Sequence, residues 1–313
     1  MTKLLRSLRT ELRYQAWSKM LLSPLVITVL SLGAAFSGSV SNAASSLDRL
    51  LSTKAQAEAN GISLGDAMNH PLNISVQGNQ QVMDNPLRFD YETAYNAHRA
   101  LDGLNSIGTG LEMITFIVLP ILFFTYGCAV AVTDVRQRIL KQRVSVQGRR
   151  PYVLAKVMMI TATAIASVLL CAALSIAAAP ILKAVFLTGT NFDFSFDVQA
   201  AGNNNPAAQI GFSAATAFFF GQLGFFVGLA TRSIVLPSLL AFALLMVAPF
   251  AGPYDPRNIL STAGQWVFNF WGGFTPRAMF PVPAGVGLLL MMLGLCSIAA
   301  CCAIVWARRT KFV

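Results

Sequence analysis

Long apolar segments recur along this 313-residue chain and are separated by polar or basic stretches. A helix of about 20 apolar residues is long enough to cross the ~30 Å hydrocarbon core of a bilayer. Charged residues make up only 12% of the chain, whereas soluble proteins carry about a quarter. The sequence therefore predicts an all-α membrane protein with six transmembrane helices. The six predicted spans are residues 20–39, 108–132, 152–187, 207–231, 234–250 and 283–307.

The second and third predicted spans are joined by a strongly basic loop, residues 133–151. From Thr133 to Lys156 the chain holds seven Lys or Arg residues and one acid. Basic residues beside a span resist translocation, so such a loop faces the cytoplasm. This topology puts sixteen Lys and Arg residues inside and seven outside, with both termini, including the tail 308–313, in the cytoplasm. We expect the plasma (inner) membrane of a bacterium as the location.

Residues 1–19 predict an amphipathic helix that lies in the membrane surface. Leucines fall on one side of its helical wheel and basic residues on the other. We expect Arg6, Arg9 and Arg13 to face anionic lipid headgroups, which makes membrane lipids a partner of this helix. The basic start and the apolar run after it also resemble a signal peptide. The length and amphipathicity of the leading segment favour an uncleaved anchor.

The first and second predicted spans are separated by a polar segment, residues 42–106. It carries seven acids and four bases, and this contrast with the basic loop places it outside the cell. Its composition predicts helices at Ala43–Ala59 and Glu92–Leu104. We therefore expect a small helical extracytoplasmic insertion, without the size of an independent domain.

Two further segments are predicted to lie on the outer side of the membrane. Residues 188–206 form a polar outer loop between the third and fourth spans. Residues 251–282 are rich in aromatic side chains but are interrupted by glycine and proline. This combination is typical of a segment that enters the interface and turns back, so we predict a re-entrant segment before the sixth span.

The sequence carries no strong motif for catalysis or nucleotide binding. It lacks a G-x-x-x-x-G-K-[ST] loop, so any ATP would have to be bound by another chain. Residues Gly61 to Gly65 match the GxSxG pattern around Ser63, but the polar helical context favours an ordinary turn. His70 and His98 are 28 residues apart, and no metal-site spacing accompanies them. We expect no enzyme activity, metal or cofactor in this chain.

Charge inside the predicted spans is sparse. Glu112 is the only acid there, and its place within about one turn of the outer end favours an interfacial position over a proton relay. Lys183, near the outer end of the third span, is expected to extend toward the interface. The net charge of +10 lies mainly in loops beside the spans, which argues against a nucleic-acid partner.

The fourth predicted span contains Gly221, Gly224 and Gly228 in the stretch FFFGQLGFFVG. Gly224 and Gly228 have the GxxxG spacing that lets two helices approach closely. We interpret this helix-packing seam as a contact within the chain, slightly favoured over a contact between two copies.

Taken together, the chain resembles a permease subunit of a type-2 ABC exporter. The shared features are the amphipathic start, six spans, the basic loop after the second span and the aromatic segment before the sixth. Family members carry an acid, a Gly-Thr-Leu stretch, a turn and a lysine that opens the third span. Asp134, Leu140, Val144-Ser145 and Lys156 match these positions, whereas Arg138-Ile139 stands in place of Gly-Thr.

The resemblance implies a pore formed with a second permease, either another copy or a paralogue. Two ABC ATPase subunits, which hold ATP and Mg²⁺, would dock below and drive a substrate outward. The expected substrate is a hydrophobic drug, a peptide or a lipid-linked molecule. The docking and coupling residues implied on this chain are Asp134, Arg136, Arg138, Leu140, Lys141, Arg143 and Lys156.

Two alternatives from other classes stay open. A non-transporting membrane subunit could transmit ATPase motion to extracytoplasmic proteins through residues 42–106. A membrane-embedded enzyme would need a cluster of catalytic side chains at one depth, and the sequence shows none.

Overall fold

The computed structural model describes residues 2–77, 80–187, 192–198, 205–276, 278–280, 282 and 294. The helices are α1 (Thr2–Trp17), α2 (Leu22–Ala59), α3 (Leu64–Asn69), α4 (Pro86–Arg99), α5 (Asn105–Met113), α6 (Leu119–Arg136), α7 (Leu140–Gln147), α8 (Arg149–Phe186), α9 (Pro206–Thr231), α10 (Val235–Phe242) and α11 (Pro256–Gly264). Two π-helical stretches, Ile114–Val118 and Ala243–Val247, join α5 to α6 and extend α10. Apart from residue 294, the predicted sixth span and the tail lie outside the described residues.

Four helical stretches are long and apolar enough to cross a membrane, namely Leu22–Ala59, Asn105–Arg136, Arg149–Phe186 and Pro206–Thr231. They overlap the first four predicted spans, and the all-helical class is confirmed apart from one short hairpin. The fifth predicted span is a shorter apolar helix, Val235–Val247, about 20 Å long at 1.5 Å per residue. This helix alone is too short for a ~30 Å core. The described residues therefore support four of the six predicted spans, and the sixth lies outside them.

The bundle has two chemically different ends. At one end α1 packs on α8, and its Ser7 hydroxyl donates to Gln147 at the end of α7. We call this the basic end. At the other end, the far half of α2 packs with α3 and α4. Together with the β-hairpin that lies between α3 and α4 in the chain, these helices form what we call the cap. Lys183 near the end of α8 pairs with Asp102 beside the cap at 2.6 Å, so the long helices separate the two ends.

The core of the cap is aromatic. Tyr91 of α4 is fully buried, and its ring packs edge-on against Phe194 and Phe196 of the loop before α9. The Tyr91 hydroxyl donates to the Phe196 carbonyl at 3.0 Å and accepts from the Phe196 amide at 2.9 Å. These contacts fasten the loop onto α4, since a buried hydroxyl needs its hydrogen bonds satisfied.

The cap differs from the sequence prediction in three respects. The first span and the helix predicted from Ala43 are one continuous helix. The serines of this stretch donate to carbonyls of the preceding turn, as Ser39 does to Ala35, and so do not cap a new helix. The helix predicted at Glu92 begins at Pro86, since the Asn85 side chain accepts from the Arg88 amide. An antiparallel hairpin of strands β1 (Ile74–Gln77) and β2 (Gln80–Met83) was not predicted.

The GxSxG match forms a helix start. Ser63 is the N-cap of α3, and its hydroxyl oxygen accepts from the Asp66 amide at 3.1 Å. The Asp66 carboxylate accepts from the Ser63 hydroxyl and also lies within reach of the Ser63 amide. This reciprocal arrangement is a capping box, so the serine has a structural use at this turn.

His98 gives the cap a predicted pH dependence. Burial, and then the Lys183 ammonium, lower the pKa of His98 from its ordinary value of 6.5, against an opposing effect of Asp102. The unfolded chain therefore takes up a proton at a pH where the folded cap resists it, and stability falls as the pH drops below 6.5. We expect the melting temperature to fall more between pH 7 and pH 5 for the wild type than for His98→Asn. Equal slopes would contradict this assignment, and His70→Asn serves as the exposed control.

Helices α6 and α9 run parallel and in very close contact. A Cβ atom placed on Gly224 would lie 2.0 Å from the Phe124 carbonyl oxygen, and one on Gly127 would lie 2.0 Å from the Gly221 carbonyl oxygen. The Cys128 thiol donates to the Gly224 carbonyl across the same contact. All three seam glycines of α9 thus face neighbouring helices of the same chain, Gly224 and Gly228 toward α6 and Gly221 toward α6 and α8.

Candidate functional site

The site is built where four helices meet at the basic end. Helix α7 is a short link between α6 and α8, and two residues with positive φ make the turns around it. Arg138 has φ 59° before α7, and Gly148 has φ 84° after it. Glycine adopts such a conformation readily, whereas an arginine there is uncommon. The two turns lay α7 against the start of α8.

Four ionisable side chains converge beneath α7, one from each of four helices, and we call them the ion cluster. They are Glu11 of α1, Asp134 of α6, Arg143 of α7 and Lys156 of α8. Arg143 donates to both Asp134 oxygens at 3.0 and 2.9 Å and pairs with Glu11 at 2.6 Å. Lys156 lies 3.1 Å from Asp134 and 3.7 Å from Glu11. Each acid therefore contacts both bases.

The ion cluster is almost closed to solvent. Asp134 is 0% exposed, Lys156 1% and Glu11 2%, while the Arg143 side chain is 10% exposed. Two acids and two bases balance in charge, which is what allows so many charges to be buried together. Burial lowers the pKa of Arg143, but Glu11 and Asp134 outweigh it and raise the pKa overall. Arg143 therefore stays charged at any physiological pH.

Aromatic rings and neutral polar groups complete the surroundings of the ion cluster. The Tyr152 hydroxyl donates to Asp134 at 2.5 Å, and the Arg143 guanidinium lies 4.5 Å from the ring centre of Tyr14. Gln15 of α1 accepts from the Tyr126 hydroxyl of α6 at 2.6 Å. These contacts carry polar interactions from α1 into the bundle and satisfy lone pairs that the ion pairs leave free.

Helix α1 is held by a polar face that was not predicted from the sequence. Ser7, Glu11 and Gln15, spaced four residues apart, are its buried side chains. Leu5 and Leu12 are exposed beside this face. The helix thus has a protein-facing polar side, an apolar side and a basic side. Glu11 is the only acid in α1, and its four-residue spacing from two neutral polar residues was the available signal.

The predicted docking residues divide into two groups. Asp134, Arg143 and Lys156 belong to the ion cluster and are turned inward, so they cannot reach a partner while the cluster is closed. Three further bases are exposed at the surface of the basic end, and we call them the docking bases. The docking bases are Arg136, Arg138 and Lys141. Leu140 is half-buried between the two groups.

The predicted lipid-facing bases of α1 are exposed in the structure. Arg6, Arg9 and Arg13 all lie on the side of α1 away from the ion cluster. They make no ion pair within the described residues, so their charge is free to meet an anionic surface.

Chemically, this arrangement suits force transmission. No group of three or more His, Cys, Asp or Glu side chains that could hold a metal occurs in the described part of the chain. The ion cluster ties the basic surface of α7 to α1, α6 and α8 at once. A displacement of α7 therefore has to move these helices together or open a buried, charge-balanced contact.

The fold and site are consistent with a multi-pass helical membrane protein, with several long apolar helices and a charged end. No protein-family model, no curated protein and no solved structure matches the chain. The arguments for function therefore rest on the chain's own residues.

Proposed function

We propose that this chain is the membrane-embedded permease subunit of an ATP-driven ABC exporter. A separate ATPase subunit, which holds ATP and Mg²⁺, docks on the docking bases and on α1. A second copy of the chain or a paralogue completes the pathway along which a substrate moves outward. The single observation that carries this proposal is the ion cluster, which links an exposed basic surface rigidly to two candidate spans.

The docking surface combines charge with apolar area. Arg136 and Arg138 precede α7, Lys141 lies in its first turn, and Val146 near its end has a side chain that is 84% exposed. An exposed apolar side chain on the same short segment as exposed bases suits a protein contact, where the buried centre is apolar and the rim is polar. A partner with an acidic or polar-rimmed groove would fit this surface, and its motion would reach α6 and α8 through the buried charges.

Charge reversal at the docking bases tests the proposal. We expect the triple variant Arg136→Glu, Arg138→Glu, Lys141→Glu to lose co-purification with the ATPase subunit, or to lose most substrate-stimulated ATP hydrolysis. Membrane insertion and melting temperature should stay near wild type, because exposed substitutions usually change stability by no more than about 0.5 kcal/mol. The measurement is the ATPase-to-permease ratio in material purified from native membranes.

The matched control reverses a base at the opposite end. Arg49→Glu changes an exposed arginine on α2 in the cap and should leave the ATPase-to-permease ratio unchanged. Normal co-purification together with normal stimulated turnover in the triple variant would refute docking at these bases.

A second candidate function is favoured by the continuity of α2. This helix runs without a break from Leu22 to Ala59, so it joins the bundle to the cap as one rigid element. We propose as the alternative a non-transporting subunit that passes ATPase motion to proteins outside. Ser45→Pro, which interrupts α2 at an exposed position, would then abolish action on the outside protein while ATPase docking persists. An exporter whose substrate path lies in the bundle would keep transport in this variant.

A further inference from the structure

At the cap end of the bundle, a small cavity of about 160 Å³ lies between α2, α5 and the loop after α11. Its polar lining consists of Ser39 and Asn42 from α2 and Thr109 and Glu112 from α5. Gly272 and Gly273 of the aromatic segment close one side. This cavity is far from the ion cluster and has no part in the proposed docking of an ATPase.

The glycine loop brings backbone directly against the acid. A Cβ atom on Gly272 would lie 2.8 Å from Glu112 Oε2 and 2.9 Å from Ser39 Oγ. The two oxygens therefore border the same small space, which only a residue without a side chain leaves open. Gly273 has φ +93°, and a Cβ there would approach Asn42 within 2.8 Å. Both glycines are needed for the loop to sit in this position.

Glu112 is an unusual residue for such a place. It is only 3% exposed, whereas its position near the end of the predicted span indicated an interfacial side chain. Its Oε2 atom makes no hydrogen bond of ordinary geometry, and no ion pair to Glu112 occurs, among the described residues. Backbone amides of Trp271 and Gly272 lie against the carboxyl group. A buried carboxylate without a countercharge is strongly unfavourable, so it requires either a proton or a cation.

The neighbouring side chains use their hydrogens elsewhere. The Ser39 hydroxyl donates to the Ala35 carbonyl at 3.0 Å, and the Thr109 hydroxyl donates to the Ala100 carbonyl at 2.7 Å. The Asn42 amide nitrogen points to the Trp271 carbonyl at 3.5 Å. What these groups retain is acceptor capacity. Acceptor side chains around a carboxylate without a countercharge match a positively charged ligand better than an anion.

We propose that this cavity binds a compact monovalent cation, either Na⁺ or a primary ammonium group, through Glu112 Oε2 with Ser39 and Asn42 as neutral oxygen ligands. Glu112 supplies the charge that the buried position otherwise lacks. The π-helical stretch Ile114–Val118 begins two residues after Glu112, and such stretches within helices are frequent at functional sites. The bound cation would hold the glycine loop against α2 and α5.

The experiment measures cation-dependent stability of the full-length chain in detergent. The melting temperature is recorded while NaCl, or separately methylammonium chloride, replaces choline chloride at constant ionic strength. We expect the wild type to rise by roughly 3 °C at saturation, because a ligand that binds only the folded state stabilises it. The cation with the lower half-maximal concentration identifies the source of the positive charge.

Variants decide whether the effect belongs to this cavity. Glu112→Gln keeps the shape of the side chain and should abolish the rise, whereas Glu58→Gln on the exposed end of α2 should retain it. Ser39→Ala should raise the half-maximal concentration several-fold, and it provides a second test if the glutamine variant fails to fold.

Three outcomes would overturn the proposal. The first is that neither cation shifts the wild type. The second is that cations raise the melting temperature of Glu112→Gln as much as that of the wild type. If that variant does not fold, the same result for Ser39→Ala, with an unchanged half-maximal concentration, overturns the proposal. The third is that lowering the pH alone stabilises the chain and cations add nothing, because the carboxyl group is then simply protonated. None of these bears on ATPase docking, which is tested at the other end of the molecule.

Discussion

Replacing Asp134 with asparagine is expected to lower the free energy of unfolding by about 3–5 kcal/mol, since removing one partner leaves buried charges uncompensated. Asp134 is fully buried and contacts Arg143, Lys156 and Tyr152. Without its charge, the cluster holds two bases and one acid. We expect α1 to detach, because Glu11 alone cannot balance both bases.

Two measurements report the effect of Asp134→Asn. Denaturant unfolding in detergent gives the loss of stability, and maleimide labelling of a cysteine introduced at Ser7 reports whether the buried face of α1 has opened. Arg136→Gln, two residues further along α6 and exposed, is the matched control and should change stability by no more than about 0.5 kcal/mol. Adding Lys156→Met to Asp134→Asn restores charge balance and should recover part of the loss. A variant Asp134→Asn as stable as the control would contradict the account of the cluster.

Gly224→Ala is the second substitution with a large expected effect. Its Cβ would lie 2.0 Å from the Phe124 carbonyl oxygen, and a backbone atom cannot move aside as a side chain can. Helices α6 and α9 must separate, at an expected cost of about 1–3 kcal/mol or more. The measurement is the unfolding midpoint in detergent.

The same helix offers a precise control for this substitution. Gly211 is also in α9, but a Cβ there meets nothing within 4 Å. Gly211→Ala should therefore be neutral or stabilising, by up to about 1 kcal/mol, because alanine favours the helix more than glycine does. Equal effects of the two substitutions would show that helix propensity, and not the contact with α6, sets the result.

The sequence was most informative where local chemistry decides structure. Apolar length predicted the four long helices, and the close glycine spacing of Gly224 and Gly228 predicted a helix contact. It was less informative where partners come from distant parts of the chain. Glu11 lies 123 positions before Asp134 in the sequence, so nothing local indicates that both meet Arg143. The inward orientation of Lys156 depends on the same long-range meeting.

Glu112 illustrates a second limit. Its distance from the end of the predicted span suggested an interfacial side chain. Position along a predicted span is the indication of membrane depth that a sequence gives. The glycine loop of the aromatic segment, 160 positions later at Gly272, covers it. Burial by a segment that folds back cannot be read from the periodicity of the buried helix. The hairpin was missed for a different reason: its strands, Ile74–Gln77 and Gln80–Met83, are only four residues long, which is too short for their apolar pattern to stand out in the sequence.

The most direct test of ATPase docking is photo-crosslinking in intact cells from position 146, the exposed apolar residue near the end of α7. We expect a crosslinked chain that contains a G-x-x-x-x-G-K-[ST] nucleotide-binding loop, identified by mass spectrometry, and we expect this crosslink to disappear when the charges of the docking bases are reversed. Crosslinks to lipid alone, or to a chain without such a loop, would contradict the proposal that an ATPase acts on this end of the molecule.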